Sequence, residues 1–199
     1  MAVISLVGKV DKRILAFPLI RALSIEGKTV VYTDDSNFKN LFTGNSNIGI
    51  VEDITIIYES NIKMADETKY ISELAKHIVF VYTDFIKEDS DIIFNCSNYD
   101  RSFHPDKTEL EEEKPENQFD LVFSSVPLRK VPSVLVMKPI YYRYLLETEE
   151  KKEFLILKDK EINTFLANKV SSKVDMPKEQ FLKLLSRKRN PILINQKRR

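Results

Sequence analysis

Apolar and polar positions along this chain first read as strand, loop, helix and strand. Val3 to Val7 is a short, nearly continuous apolar run beside Gly8, the pattern of a strand buried on both faces. After Gly8-Lys9-Val10-Asp11 come Ile14, Leu15, Phe17, Leu19, Ile20, Ala22 and Leu23, spaced as on a helix packed against a sheet. Gly27 is expected to end that helix as its C-terminal cap. Pro18 interrupts the pattern, because a proline beyond the first turn removes a backbone hydrogen bond. The helix is therefore expected either to start late, near Phe17, or to bend. Thr29 to Thr33 supplies a second β-branched strand, and its offset of roughly 25 to 30 residues from the first is that of a parallel crossover unit.

Further on, residues 36 to 49 are rich in Asn, Ser and Gly and predict a loop around a short helix at Phe38 to Phe42. Val51 to Tyr58 predicts one strand, and Asp66 to His77 a helix with His77 at its end. The apolar runs Ile78 to Tyr82 and Ile92 to Cys96 predict two more strands. Residues 100 to 117 read as an exposed, acidic loop. Leu121 to Ser124 and Ser133 to Met137 read as strands bounded by the turn chemistry of Pro127 and Pro132. Beyond Pro139 the rhythm becomes helical: Tyr141 to Leu146, then Glu149 to Val170, then a last helix after Asp175 with Pro177 in its first turn and Phe181, Leu184 and Leu185 buried. The expected fold is α/β, a mostly parallel sheet flanked by helices, with an α/β domain over residues 1–140 and a small helical extension over 141–199.

Composition adds few constraints. The chain has 199 residues, of which 43% are hydrophobic and 31% charged, an ordinary balance for a soluble globular domain. A lone Cys96 cannot form an internal disulfide, the first residues lack a secretory signal, and no run approaches the roughly 20 apolar residues that span a bilayer. A reduced, cytoplasmic setting is the expectation. A structural zinc site is excluded by one cysteine and two dispersed histidines, His77 and His104. A nucleophilic Cys96–His77 pair would require the fold to bring them together.

The net charge of +1 conceals an asymmetry. Residues 106 to 116 are acidic, whereas Arg187, Lys188, Arg189, Lys197, Arg198 and Arg199 crowd the other end. Such a basic end attracts nucleic-acid phosphate or an anionic membrane surface, or serves as a protein-docking peptide. Its pairing with the acidic loop of another copy would give a homo-oligomer.

The N-terminal residues carry a resemblance. Val3-Ile4-Ser5-Leu6-Val7-Gly8-Lys9, then Leu19 to Val31 with Glu26-Gly27-Lys28, then Asp34-Asp35 and Lys39-Asn40-Leu41 resemble the deviant Walker fold of the MinD/ParA family of P-loop ATPases. In that family a strand precedes the phosphate loop and a second strand delivers an Asp-x-Asp near the catalytic water. Ile78 to Asp84 looks like the Walker B strand with its acid, and Ser90 to Asn95 like the strand after it. The resemblance covers roughly the first 100 residues. It implies a P-loop-like fold, ATP and magnesium as the family's ligands, and protein partners in a bacterial cytoplasmic assembly.

The departures bear on activity. The family's loop reads Lys-Gly-Gly-x-Gly-Lys-Thr/Ser, whereas this chain has Gly8-Lys9-Val10-Asp11-Lys12-Arg13. Without the inner glycines, Cβ atoms intrude where backbone must approach phosphate. Arg13 or Ile14 stands in place of the hydroxyl that would hold magnesium. Asp11 sets a negative charge against a triphosphate. With Lys39-Asn40-Leu41 fixing the register, the first acid of Asp-x-Asp falls on Thr33, which leaves Asp35. Gly8, Lys9, Lys12 and Arg13 are the candidate phosphate-binding residues, and Asp35 and Asp84 the candidate metal- or water-positioning acids. Asp34, Asp35 and Asp84 would suit a divalent cation if they converge, or cap helices and turns if they do not. The expectation is a scaffold or regulator that binds nucleotide weakly or not at all and has no resident cofactor. The alternatives are an active phosphate-handling enzyme and a nucleic-acid-binding adaptor.

Overall fold

The computed structural model describes residues 1–43, 46–59, 74–85, 87, 89–99, 115–127 and 134–187. Its centre is β1 (Ala2–Val7), a strand whose residues are all buried but Val3, which is half-buried. β5 (His77–Tyr82) and β6 (Ile92–Asn98) pair with it in parallel on either side, in register from Ala2 opposite His77 and from Ile4 opposite Ile92. β2 (Thr29–Thr33) runs parallel to β5 on its far side, followed by β4 (Ile54–Tyr58). β7 (Gln118–Ser124) and β8 (Val134–Val136) extend the sheet beyond β6, both parallel. β3 (Ile48–Val51) forms the opposite edge and alone runs antiparallel, giving the order β3-β4-β2-β5-β1-β6-β7-β8. The first two strands are thus parallel, as expected, with β5 inserted between them.

The described α-helices collect on one face. α1 (Arg13–Glu26) presses Ile14, Leu15, Phe17, Leu19, Ile20 and Leu23 against Ile4, Leu6, Val79, Val81 and Phe94 of the sheet. It begins at Arg13 and continues through Pro18, so the expected late start near Phe17 does not occur. The burial of Phe17 edge-on to Phe38 and Phe154, at centroid distances of 5.2 and 5.3 Å, outweighs the hydrogen bond the proline forgoes. Gly27 does end α1, with φ 178° rather than the left-handed cap. A Cβ there would meet only atoms of the Lys76 side chain, the nearest being Cδ at 2.5 Å.

α2 (Pro139–Lys151), α3 (Lys160–Val170) and α4 (Lys178–Ser186) pack on the same face, and Tyr141, Leu166 and Phe181 belong to the same core cluster as Ile4 and Leu6. The helix expected over Glu149 to Val170 is two helices. α2 stops at Lys152, left-handed at φ 53°. The chain then runs extended to Asp159, whose carboxylate caps α3 by accepting the Ile162 N–H at 3.0 Å. The Phe154 N–H is taken by Glu52 at 3.0 Å. Pro177 is the N-cap of α4 rather than part of its first turn.

Two other expectations change. The strand expected over Val51 to Tyr58 forms over Ile54–Tyr58 as the second arm of a hairpin, with Val51 ending β3 and Glu52 and Asp53 both at positive φ in the two-residue turn between them. His77 is the first residue of β5, because Ala2 and Thr29 pair with it on both sides; the helical expectation for residues 66–73 lies outside the described residues. The short helix after β2 is a 3-10 segment over Ser36–Leu41 that buries Phe38 and Leu41. The loop expected over 100–117 falls mostly outside the described residues. Among the described residues, no helix is long and apolar enough to cross a membrane.

Candidate functional site

Three strand ends and one helix start meet at the carboxyl edge of the sheet. After β1 the chain moves toward β2 on one side, and after β5 it crosses to β6 on the other, so the crevice beside β1 is a topological switch point, where open α/β sheets bind ligands. An open cleft of about 410 Å³ lies there, lined by residues 8–12, 34–37 and Thr83.

Gly8 has φ 133° and hydrogen-bonds through its N–H to the carbonyls of Tyr82 and Thr83, each at 3.1 Å. A Cβ on it would run into the carbonyl of Cys96 on β6. Its glycine is therefore demanded by the neighbouring strand, whatever the cleft holds.

The loop is filled by its own charges. Lys12, the N-cap residue of α1, is 3% exposed, and its ammonium donates to the carbonyl of Gly8 and, at 3.2 Å, to that of Val10. A phosphate cradle turns N–H groups inward; here two of the loop's carbonyls face inward onto a buried cation. Asp11 accepts from the Arg13 N–H at 3.2 Å and from its guanidinium at 2.8 and 2.6 Å, so a side-chain carboxylate already occupies the positive end of α1. Arg13 also donates to Glu149 of α2, whose other oxygen accepts from Asn40 at 3.2 Å. Burial works against the Arg13 charge, but Asp11 and Glu149 outweigh it and raise its already high pKa. Ile14, at the other position where a hydroxyl would hold magnesium, is fully buried in the core.

The acids are likewise engaged. Asp34 accepts the Thr83 N–H with both oxygens, at 3.1 and 2.9 Å, and so ties the end of β2 to the end of β5. Asp35 caps the 3-10 segment, accepting from the Asn37 N–H at 3.0 Å and its side-chain amide at 2.8 Å. Asp84 lies 3.7 Å from Lys9, and both side chains are about three-quarters exposed, a pairing of little energetic weight. Their convergence on a cation does not occur: among the described residues no three or more His, Cys, Asp or Glu side chains are arranged to hold a metal ion. Asp34 serves as a tie and Asp35 as a cap instead.

Cys96 and His77 stand at opposite ends of the sheet, since His77 pairs with Ala2 while Cys96 follows the residue paired with Val7. At about 3.3 Å per residue this excludes a nucleophilic pair. Burial pushes the Cys96 thiol up to about 12, with Lys12 opposing weakly. His77 instead pairs with Glu26 at the far edge. Arg187 is exposed, and its carbonyl accepts from Arg21. Lys188, Arg189, Lys197, Arg198 and Arg199 lie outside the described residues. The pattern of the first 100 residues did not indicate Glu149, which holds Arg13 from an element distant in sequence and itself accepts from Asn40. A scan against protein-family models and a search of curated proteins find no match for this chain.

Proposed function

We propose that this protein is a MinD/ParA-like scaffold or regulator that acts through protein contacts in a bacterial cytoplasmic assembly and binds nucleotide weakly or not at all. The observation that carries the reading is the state of the loop after β1: Lys12 on the carbonyls of Gly8 and Val10, and Asp11 on the start of α1. A triphosphate entering there would have to displace a carboxylate and meet inward-facing carbonyls, both of which repel it. Support for the relationship comes from the β1, loop, α1, β2 unit and from β5, the strand that precedes Asp84, pairing directly with β1. When the phosphate loop decays and the apolar strands remain, the fold serves as a platform.

Thermal unfolding with ATP, ADP or GTP and magnesium tests this. A nucleotide at about 100 times its dissociation constant would stabilise by roughly 2.7 kcal/mol, a rise of about 5 °C or more in Tm for a chain of this size. We expect no shift and no turnover. A clear shift that Lys9→Ala abolishes would instead favour the phosphate-handling enzyme, for which the cleft at the switch point is the supporting feature.

A further inference from the structure

β3 is the outer strand at its end of the sheet. The Tyr58 N–H donates to the Asn47 carbonyl at 2.7 Å, so by the alternation of an antiparallel ladder Asn47, Gly49 and Val51 turn their main-chain groups toward β4. Ile48 and Ile50 turn theirs outward. Among the described residues the Ile48 N–H has only its local neighbour Ser46 Oγ, at 3.1 Å, and no strand pairs with this edge. Their side chains are 44% and 72% exposed, on the sheet face that carries Ile57, Tyr32 and Phe80. Natural sheets guard such an edge with charge, proline or a bulge. Ser46-Asn47-Ile48-Gly49-Ile50-Val51 contains neither charge nor proline.

We infer that the free edge of β3 pairs antiparallel with β3 of a second copy of this chain. A two-fold axis through Gly49 sets Ile48 opposite Ile50 of the other copy, and the reverse. That register satisfies two independent conditions. Both residues direct N–H and C=O outward, so they form hydrogen-bonded pairs, and both place their side chains on the same face of the joined sheet. A slip by one residue breaks both conditions.

The ends of the strand are complementary in charge. Lys39 lies at one end, its ammonium 3.3 Å from Asn47 Oδ1 and 3.9 Å above the Tyr58 ring. The exposed Asp53 lies in the turn at the other. Antiparallel pairing brings the Lys39 end of each copy to the Asp53 end of its partner. Two isoleucines per copy bury far less than a standard interface of about 1,600 Å², so the association is reversible and concentration-dependent. This gives the protein-contact reading one partner surface and does not depend on the state of the cleft.

Sedimentation velocity of the full chain over a concentration series tests it. We expect reversible dimerisation, weakened about tenfold or more by Ile50→Lys, which sets a charge on the joined edge at an exposed position that leaves the fold intact. Lys39→Glu and Asp53→Lys should each weaken it, and the double variant should restore it. Oxidising a mixture of Ile48→Cys and Ile50→Cys chains should crosslink one to the other in preference to either with itself. A chain that stays monomeric at high-micromolar concentration, or a dimer indifferent to Ile50→Lys, would overturn the inference, and neither result bears on whether nucleotide binds.

Discussion

Replacing Gly8 by alanine separates two reasons for a glycine after β1. In a phosphate loop the residue is small so that backbone can approach a ligand, and alanine then reduces affinity with little effect on the free protein. Here the added methyl would overlap the Cys96 carbonyl oxygen and lie 2.9 Å from its carbon and 3.4 Å from its Cα. The obstacle is backbone of β6, which is paired with β1 on one side and β7 on the other and cannot step aside alone. A non-glycine residue at φ 133° adds about 1–3 kcal/mol of strain. Forcing apart packed groups adds about 1–3 kcal/mol more. The expected loss is about 2–6 kcal/mol, a large share of the roughly 5–15 kcal/mol that holds a domain together. Equilibrium urea unfolding followed by circular dichroism reads it as a fall in midpoint of about 1–2 M. Gly27→Ala is the control, because its φ of 178° suits any residue and its neighbours are atoms of the flexible Lys76 side chain. A Gly8→Ala protein within about 1 kcal/mol of the parent would refute the reasoning.

Two further outcomes follow from buried charges. Arg21, 3% exposed on α1, donates to the carbonyls of Leu184, at 3.2 Å, and Arg187, which satisfies the C-terminal end of α4. Arg21→Leu should cost about 2–4 kcal/mol and raise amide exchange across residues 178–186 above that of the sheet; unchanged exchange there would refute this anchoring role. His77 is 2% exposed, with Nε2 on Glu26 and a buried Nδ1 that has no partner among the described residues. Burial lowers its pKa below 6.5 and outweighs the opposing hydrogen bond and charge of Glu26, while Lys76 and the N-terminal amine add to the lowering. The unfolded chain therefore takes the proton first. Stability from this site is complete above about pH 6.5 and declines as pH falls through that value. Glu26 is held below 4.5 because hydrogen bonds from Lys76 and His77 overcome its burial, so its own contribution is lost in the same direction at lower pH. Thermal unfolding between about pH 5 and 7 should slope less in His77→Gln than in the parent; equal slopes would show that His77 does not control that range.

The strands were legible where one physical requirement fixed the pattern. β1, β5 and residues 92–94 at the start of β6 are buried on both faces, which continuous apolar runs satisfy. The hairpin turn at Glu52-Asp53 is not legible in the sequence, because these residues adopt positive φ without the Asn-Gly or Asp-Gly signature. His77 reads as a helix end because a lone polar residue at a boundary has no local preference, and its place in β5 comes from strands on either side. Pro18 suggested a local break that long-range aromatic packing overrides.

The sequence by itself determined an α/β chain with a central apolar strand, and it marked residues 8–13 as unlike a phosphate cradle, because the missing inner glycines are a local property of backbone and Cβ. What fills that space was decided by tertiary structure alone. Lys12 turns inward to main-chain carbonyls, Gly8 answers to β6, and Arg13 is held by a glutamate more than a hundred residues away. Charges choose partners by distance in space, and distance in space is set only when the helices after β8 close on the same face of the sheet as α1.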